Sequence, residues 1–175
     1  MDTPKASVKK IALNYGLYLG LASVILNVIW YVMDMHIDRP WYQGLIGFAV
    51  MILILVYGLK AFKKDNGGYM SLGEALKTGL GISLIAGIIS VIYTLILVNY
   101  LEPEYVQKTL ELTEEQMYER NPNLTSEQAE MALSMTEKFM SPGILSAIGL
   151  ILSLFFGFII SLIAGLIMKR SHPMN

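Results

Sequence analysis

Residues 79–101 read GLGISLIAGIISVIYTLILVNYL, a stretch with no charged side chain that exceeds the roughly 20 residues a helix needs to cross the hydrocarbon core of a bilayer. Its leucines, isoleucines and valines each favour insertion by roughly 0.3–0.6 kcal/mol, so the sum is several kcal/mol in favour of the membrane. Barrel strands are excluded, because the run is far longer than one and lacks the alternation of apolar and polar residues. Lipid offers the backbone no hydrogen-bond partners, so this segment must satisfy itself as a helix.

Outward from this run, Ile11 to Met33 and Ile144 to Met168 are equally free of charge. Trp41 to Phe62 carries only Lys60, close enough to the end for its ammonium to reach the headgroups. The sequence therefore predicts an all-α integral membrane protein: a four-helix bundle forming a single membrane domain over 1–175, with spans at about 11–33, 41–62, 72–101 and 143–168. Pro40 before Trp41, and Ser141-Pro142-Gly143 before the last run, are helix-start signals. Trp30 and Tyr31 leave the first span where Trp41 and Tyr42 enter the second, and Tyr15 and Tyr18 mark the opposite end, the pattern of aromatic belts at two interfaces. The first span is too long for a signal peptide and no small-residue cleavage site follows it, so it is expected to be retained.

Composition agrees: 54% of residues are hydrophobic and 15% charged, too apolar for an ordinary soluble domain. The absence of cysteine excludes disulfides, thiolate metal sites and thiol nucleophiles. A net charge of −1 gives no bulk attraction to nucleic acid.

Charge is distributed unevenly between the loops. Lys5, Lys9, Lys10, Lys60, Lys63, Lys64, Lys77, Lys169 and Arg170 fall at one end of the spans, and only Arg39, Lys108, Arg120 and Lys138 at the other. The positive-inside rule then places both termini in the cytoplasm, with the long loop 102–141 outside. That loop holds nine glutamates against three basic residues. Thr113 with Gln116 and Thr125 with Gln128 match capping boxes, and Met131, Met135 and Phe139 recur at helical spacing. The expectation is an acidic extracytoplasmic helical hairpin between helices 3 and 4, broken at Asn121-Pro122. Such a hairpin either caps the bundle as a solvated face or offers a docking surface for a basic partner or a cation.

Small residues line the spans. Gly149, Ser153, Gly157, Ser161 and Gly165 recur every four residues; the third span has Gly79, Ser83 and Gly87, and the first Gly16 and Gly20. These are helix-packing seams, because lipid supplies no hydrophobic force between helices and close van der Waals contact must hold the bundle. Internal packing is the expected use, and homodimerisation through the fourth-span seam is the alternative. A shift of 63 positions, Gly16 onto Gly79, also superposes Ala12, Leu13, Leu17, Leu21, Ile25, Val28 and Ile29 on identical residues, as two repeated helical hairpins would.

Chemistry has little to work with. Asp34, His36 and Asp38 in the first outer loop, with Glu102 and Glu104, offer oxygen and imidazole donors, but alternate spacing in a short turn fixes no coordination geometry. Ser71, Glu74 and Lys77 read as a capping box with a following salt-bridge partner, a cytoplasmic helix start. No ionisable residue lies deep in a span, which disfavours a proton relay or ion-coupled transporter. No phosphate loop or nucleophile elbow occurs, and the second histidine, His172, lies in the tail. No catalytic residue, cofactor or metal is therefore assigned.

The Lys-rich start with Gly16 and Gly20, the segment from Tyr69 to Gly79 with its core Ser-Leu-Gly-Glu-Ala-Leu-Lys, and the acidic loop before a Gly-rich last helix resemble a bacterial membrane family, that of domain of unknown function 4199. The resemblance implies a four-span bacterial protein, and no activity or functional residue; the expected location is the bacterial cytoplasmic (inner) membrane. The bilayer is the expected environment, with a second copy or another membrane protein as partner. The functional expectation is a non-enzymatic accessory or scaffold subunit. The alternative is a small channel or solute-permeation protein with a path along Asn27, Ser83, Ser90 and Ser153, and a metalloenzyme built on Asp34, His36 and Asp38 comes third.

Overall fold

The computed structural model describes residues 6–170; Lys5 and His172 lie outside the described residues. Six α-helices follow one another: α1 Val8–Val32, α2 Trp41–Asp65, α3 Leu72–Ile96, α4 Tyr105–Arg120, α5 Ser126–Phe139 and α6 Pro142–Met168. A π-helical turn, Leu97–Leu101, prolongs α3. Four stretches, Val8–Val32, Trp41–Asp65, Leu72–Leu101 and Pro142–Met168, are long and apolar enough to cross a membrane, and α4 and α5 form a shorter pair between the third and fourth.

Several helices run past the sequence expectation. α1 starts at Val8, where the Ser7 side chain accepts from the Lys10 amide. α2 continues to Asp65, and its last turn carries Lys63 and Lys64 against the negative end of the helix dipole. The turn into α3 passes through Gly67 and Gly68, both at positive φ, a backbone that side chains resist and glycine accepts.

α3 is the central helix, packed along α1 on one side and α6 on the other, with α2 completing the bundle. Depth of packing is uneven along the axis. The buried residues of α1 lie between Ile11 and Gly20, those of α2 between Leu55 and Phe62, those of α3 between Ala75 and Gly87, and those of α6 between Gly157 and Gly165. All four groups sit toward the Lys-rich end. Hydrogen bonds close that end: Met70 and Arg170 pair through both amides, Lys63 donates to the Met168 carbonyl, and Asn66 accepts from the Ala6 amide while donating to the Tyr69 carbonyl. Toward the other end the spans separate, until a second, smaller core of Leu97, Val98, Tyr105 and Met140 joins the α4–α5 pair to the span ends.

Candidate functional site

The closed end is set by the small residues. A Cβ on Gly79 would collide with the Ser161 hydroxyl, and one on Gly157 would lie 2.6 Å from the Ser83 Cβ, so each serine of one helix fills the glycine notch of the other. Ser83 and Ser161 are fully buried as a result. Gly165 meets Ala75, Gly87 meets Leu150, and on the opposite side of α3 Gly16 and Gly20 meet Ile85 and Ile89. The repeat-related Gly16 and Gly79 thus serve successive contacts, α1 onto α3 and α3 onto α6. From Ser153 to Gly165 the α6 seam is consumed within the chain, Ser153 by donating to the Ser83 carbonyl at 3.0 Å. Around Gly149, at the other end of the seam, the space is open.

Ser71, Glu74 and Lys77 start α3 at the Lys-rich end. One Glu74 oxygen takes the Ser71 amide and hydroxyl, both at 2.8 Å, and the Ser71 oxygen takes the Glu74 amide. The capping box forms, and Lys77 is exposed one turn further on. Just before this helix start, Met70 pairs with Arg170 just after α6, so the segment that carries the family resemblance has a structural task here: it ties the helix start to the end of α6.

Between the two cores lies a cleft. Its floor includes Leu19 and Ala86, its roof Leu97 and Tyr105, and adjoining hollows of about 400, 270 and 290 Å³ share Asn27 as a wall. Asn27, Ser90 and Ser153, three of the residues named as a polar path, come together on it; Ser83 lies beneath, inside the packed seam. Gly44 and Gly47 of α2 face it, and a methyl group added at either would meet nothing within 4 Å, so the wall on that side is open.

The roof holds the ionisable groups. His36 lies between the rings of Tyr31 and Tyr105, at 4.8 and 6.5 Å, with its Nε2 3.6 Å from Glu102. Lys108 bonds Glu102 and lies 3.6 Å from Glu104. That Lys108 hydrogen bond, more than the charges of Lys108 and His36, holds the Glu102 carboxyl below its ordinary range, and Glu102 in turn raises Lys108. Asp34 and Asp38 are not drawn into this cluster, and no group of three or more metal-ligating side chains gathers among the described residues.

Sequence reasoning misses Arg39 as a site residue. It adopts a left-handed backbone, φ 44°, donates from Nε to the His36 carbonyl, lies 5.7 Å from the Tyr105 ring centre and borders two of the hollows. A non-glycine residue in that region costs on the order of 1–3 kcal/mol and draws notice to the turn. Its signal in the sequence is its isolation, the one basic residue between the first and second spans. Asn66 is missed as well, since a lone asparagine before two glycines reads as a turn, and its distant partner Ala6 leaves no trace in local spacing.

A model of the family described as protein of unknown function, DUF4199, matches residues 14–170. The chain belongs to this family. The match runs from within α1 to the end of α6 and so takes in the α4–α5 pair; with the four candidate spans, the chain is a multi-pass membrane protein of a family of unknown function. No curated protein and no solved structure matches the chain.

The hairpin corrects one expectation. α4 starts at Tyr105, so Thr113 sits in mid-helix, where its hydroxyl donates to the Thr109 carbonyl at 2.6 Å instead of capping with Gln116. Tyr105, Val106 and Leu110 pack on the small core and pull the helix start toward it, and a mid-helix threonine then bonds back one turn. Thr125 and Gln128 do form their box. Of α5, Ala129 is buried, while Met131, Met135 and Phe139 are 65%, 58% and 58% exposed.

Proposed function

We propose that this chain is a non-enzymatic accessory or scaffold subunit of the bacterial cytoplasmic membrane, with its ends in the cytoplasm and the α4–α5 pair outside as its docking element. The observation that carries the reading is the exposed row Met131, Met135 and Phe139, flanked by exposed Glu127, Glu130 and Glu137. Contiguous apolar surface rimmed by charge marks interaction sites, and methionines adapt to a partner's relief. The partner is a membrane protein presenting an apolar patch edged by lysine or arginine. The orientation is supported by the basic residues gathered around the closed end.

Crosslinking in the native membrane tests this. The wild-type chain is expected to recover a reproducible partner through α5, and Met131→Gln with Met135→Gln to lose it while retaining the fold; undiminished recovery by the double variant would refute the docking element.

Permeation is the second reading, favoured by the meeting of Asn27, Ser90 and Ser153 on one cleft. Against it stand the fully buried Leu55, Leu59, Phe62 and Ile82, which occupy the axis below. Flux in reconstituted liposomes above that of empty vesicles would promote it over docking.

A further inference from the structure

Neither span packing nor docking through α5 uses the cleft between the two cores. Its hollows form one groove, since Asn27 borders all of them and Arg39, Ser90 and Gly149 each border two. The groove begins at the level of Trp30 and Trp41, residues of the headgroup interface. It descends past Asn27 to Ser90 and Ser153, which lie about 16 Å from the outer ends of their helices at 1.5 Å per residue. One end is therefore polar and interfacial, and the other reaches the middle of the bilayer.

Charge and size narrow the occupant. Arg39 forms no ion pair within 4 Å among the described residues, and its guanidinium stands at the mouth against Tyr105. A guanidinium without a carboxylate at a membrane interface matches the geometry of a phosphate. A transmembrane helix is a solid cylinder about 10–12 Å across, whereas this space is divided among hollows of about 400, 270 and 290 Å³ that meet at Asn27, none of which holds more than roughly one turn of such a helix. An acyl chain, a single file of methylenes, fits such a space, and the unfilled volume beside Gly44, Gly47 and Gly149 lets it enter sideways from the bilayer.

We propose that the groove binds one glycerophospholipid, its phosphate on Arg39, its glycerol region beside Asn27 and an acyl chain along Gly47 and Gly149. The site is independent of the α5 surface. Its specificity is for the phosphate, with the guanidinium supplying the discrimination against a neutral diacyl lipid.

Native mass spectrometry of the full chain in detergent, titrated with dioleoylphosphatidylglycerol and with phosphate-free dioleoylglycerol, tests it. The wild-type chain is expected to retain one phospholipid and to prefer it over the neutral lipid by about tenfold, the discrimination typical of a charge-assisted hydrogen bond. Arg39→Gln should remove the preference. Gly47→Trp should displace both lipids, as a Cβ there meets nothing within 4 Å and the indole beyond it would occupy the hollow, and Lys138→Gln on α5 should change neither. A wild-type chain that sheds all phospholipid, a preference that survives Arg39→Gln, or an equal loss in Lys138→Gln would overturn the assignment. So would a co-purifying protein, with no lipid, that is released by Gly47→Trp.

Discussion

Gly157 and Gly149 belong to one four-residue repeat, yet their surroundings differ completely. At Gly157 an added methyl group meets Ser83, while at Gly149 it meets nothing within 4 Å. Gly157→Ala is expected to destabilise the bundle by about 1–3 kcal/mol through overpacking. Gly149→Ala is expected to be neutral or to stabilise by up to about 1 kcal/mol, the gain in helix propensity. Thermal unfolding of the two variants in the same detergent checks this, and equal shifts would contradict the assignment of a packed stretch and an open end to the seam. A second residue-scale outcome concerns Glu102. Lys108 lowers its carboxyl below the ordinary value of 4.5, so the contribution to stability is present above that value and is lost as pH falls through the lowered one. Acidification should therefore loosen the roof in the wild type and do so less in Glu102→Gln. Hydrogen exchange of the first turns of α4, compared between neutral and strongly acidic pH, reads this directly, and identical pH profiles would mean that the pair does not hold the roof.

At the scale of elements, α5 is held by its cap and by few contacts, with Ala129 its buried residue. Thr125→Ala should cost about 0.5–2 kcal/mol of helix stability, visible as faster amide exchange along α5 and unchanged exchange in α3; uniform acceleration in both helices would mean that the hairpin and bundle unfold together. The same helix shows what was legible. Thr125, Gln128 and the Met131, Met135, Phe139 spacing are local signals, and local signals specified the helix and its start. Thr113 carried an equally good local signal and ended in mid-helix, because contacts of Tyr105 and Leu110 with residues far along the chain decided where α4 begins. The spans were legible for a simple reason: crossing a membrane is a property of each segment by itself. The cleft was not, because it arises from where neighbouring helices stop touching. Asn27, Ser90 and Ser153 were recognisable as polar residues in apolar runs, whereas Arg39 owes its place to the fold of a turn.

The whole molecule is a bundle closed at its basic end by glycine–serine notches and by the Met70–Arg170 pairing, open above, and capped by a helical pair. Every functional reading rests on that polarity: the α4–α5 pair and the mouth at Arg39 lie at one end of the four candidate spans, and the start of α1 and the end of α6 lie at the other. Because the chain has no cysteine, single cysteines report position without background. The decisive measurement is labelling by a membrane-impermeant maleimide in sealed cells, with cysteine placed at exposed Glu119 on α4 or at exposed Lys64 on α2. Glu119→Cys is expected to be labelled from outside and Lys64→Cys only after permeabilisation; labelling of both from the same side would contradict the four-span arrangement itself.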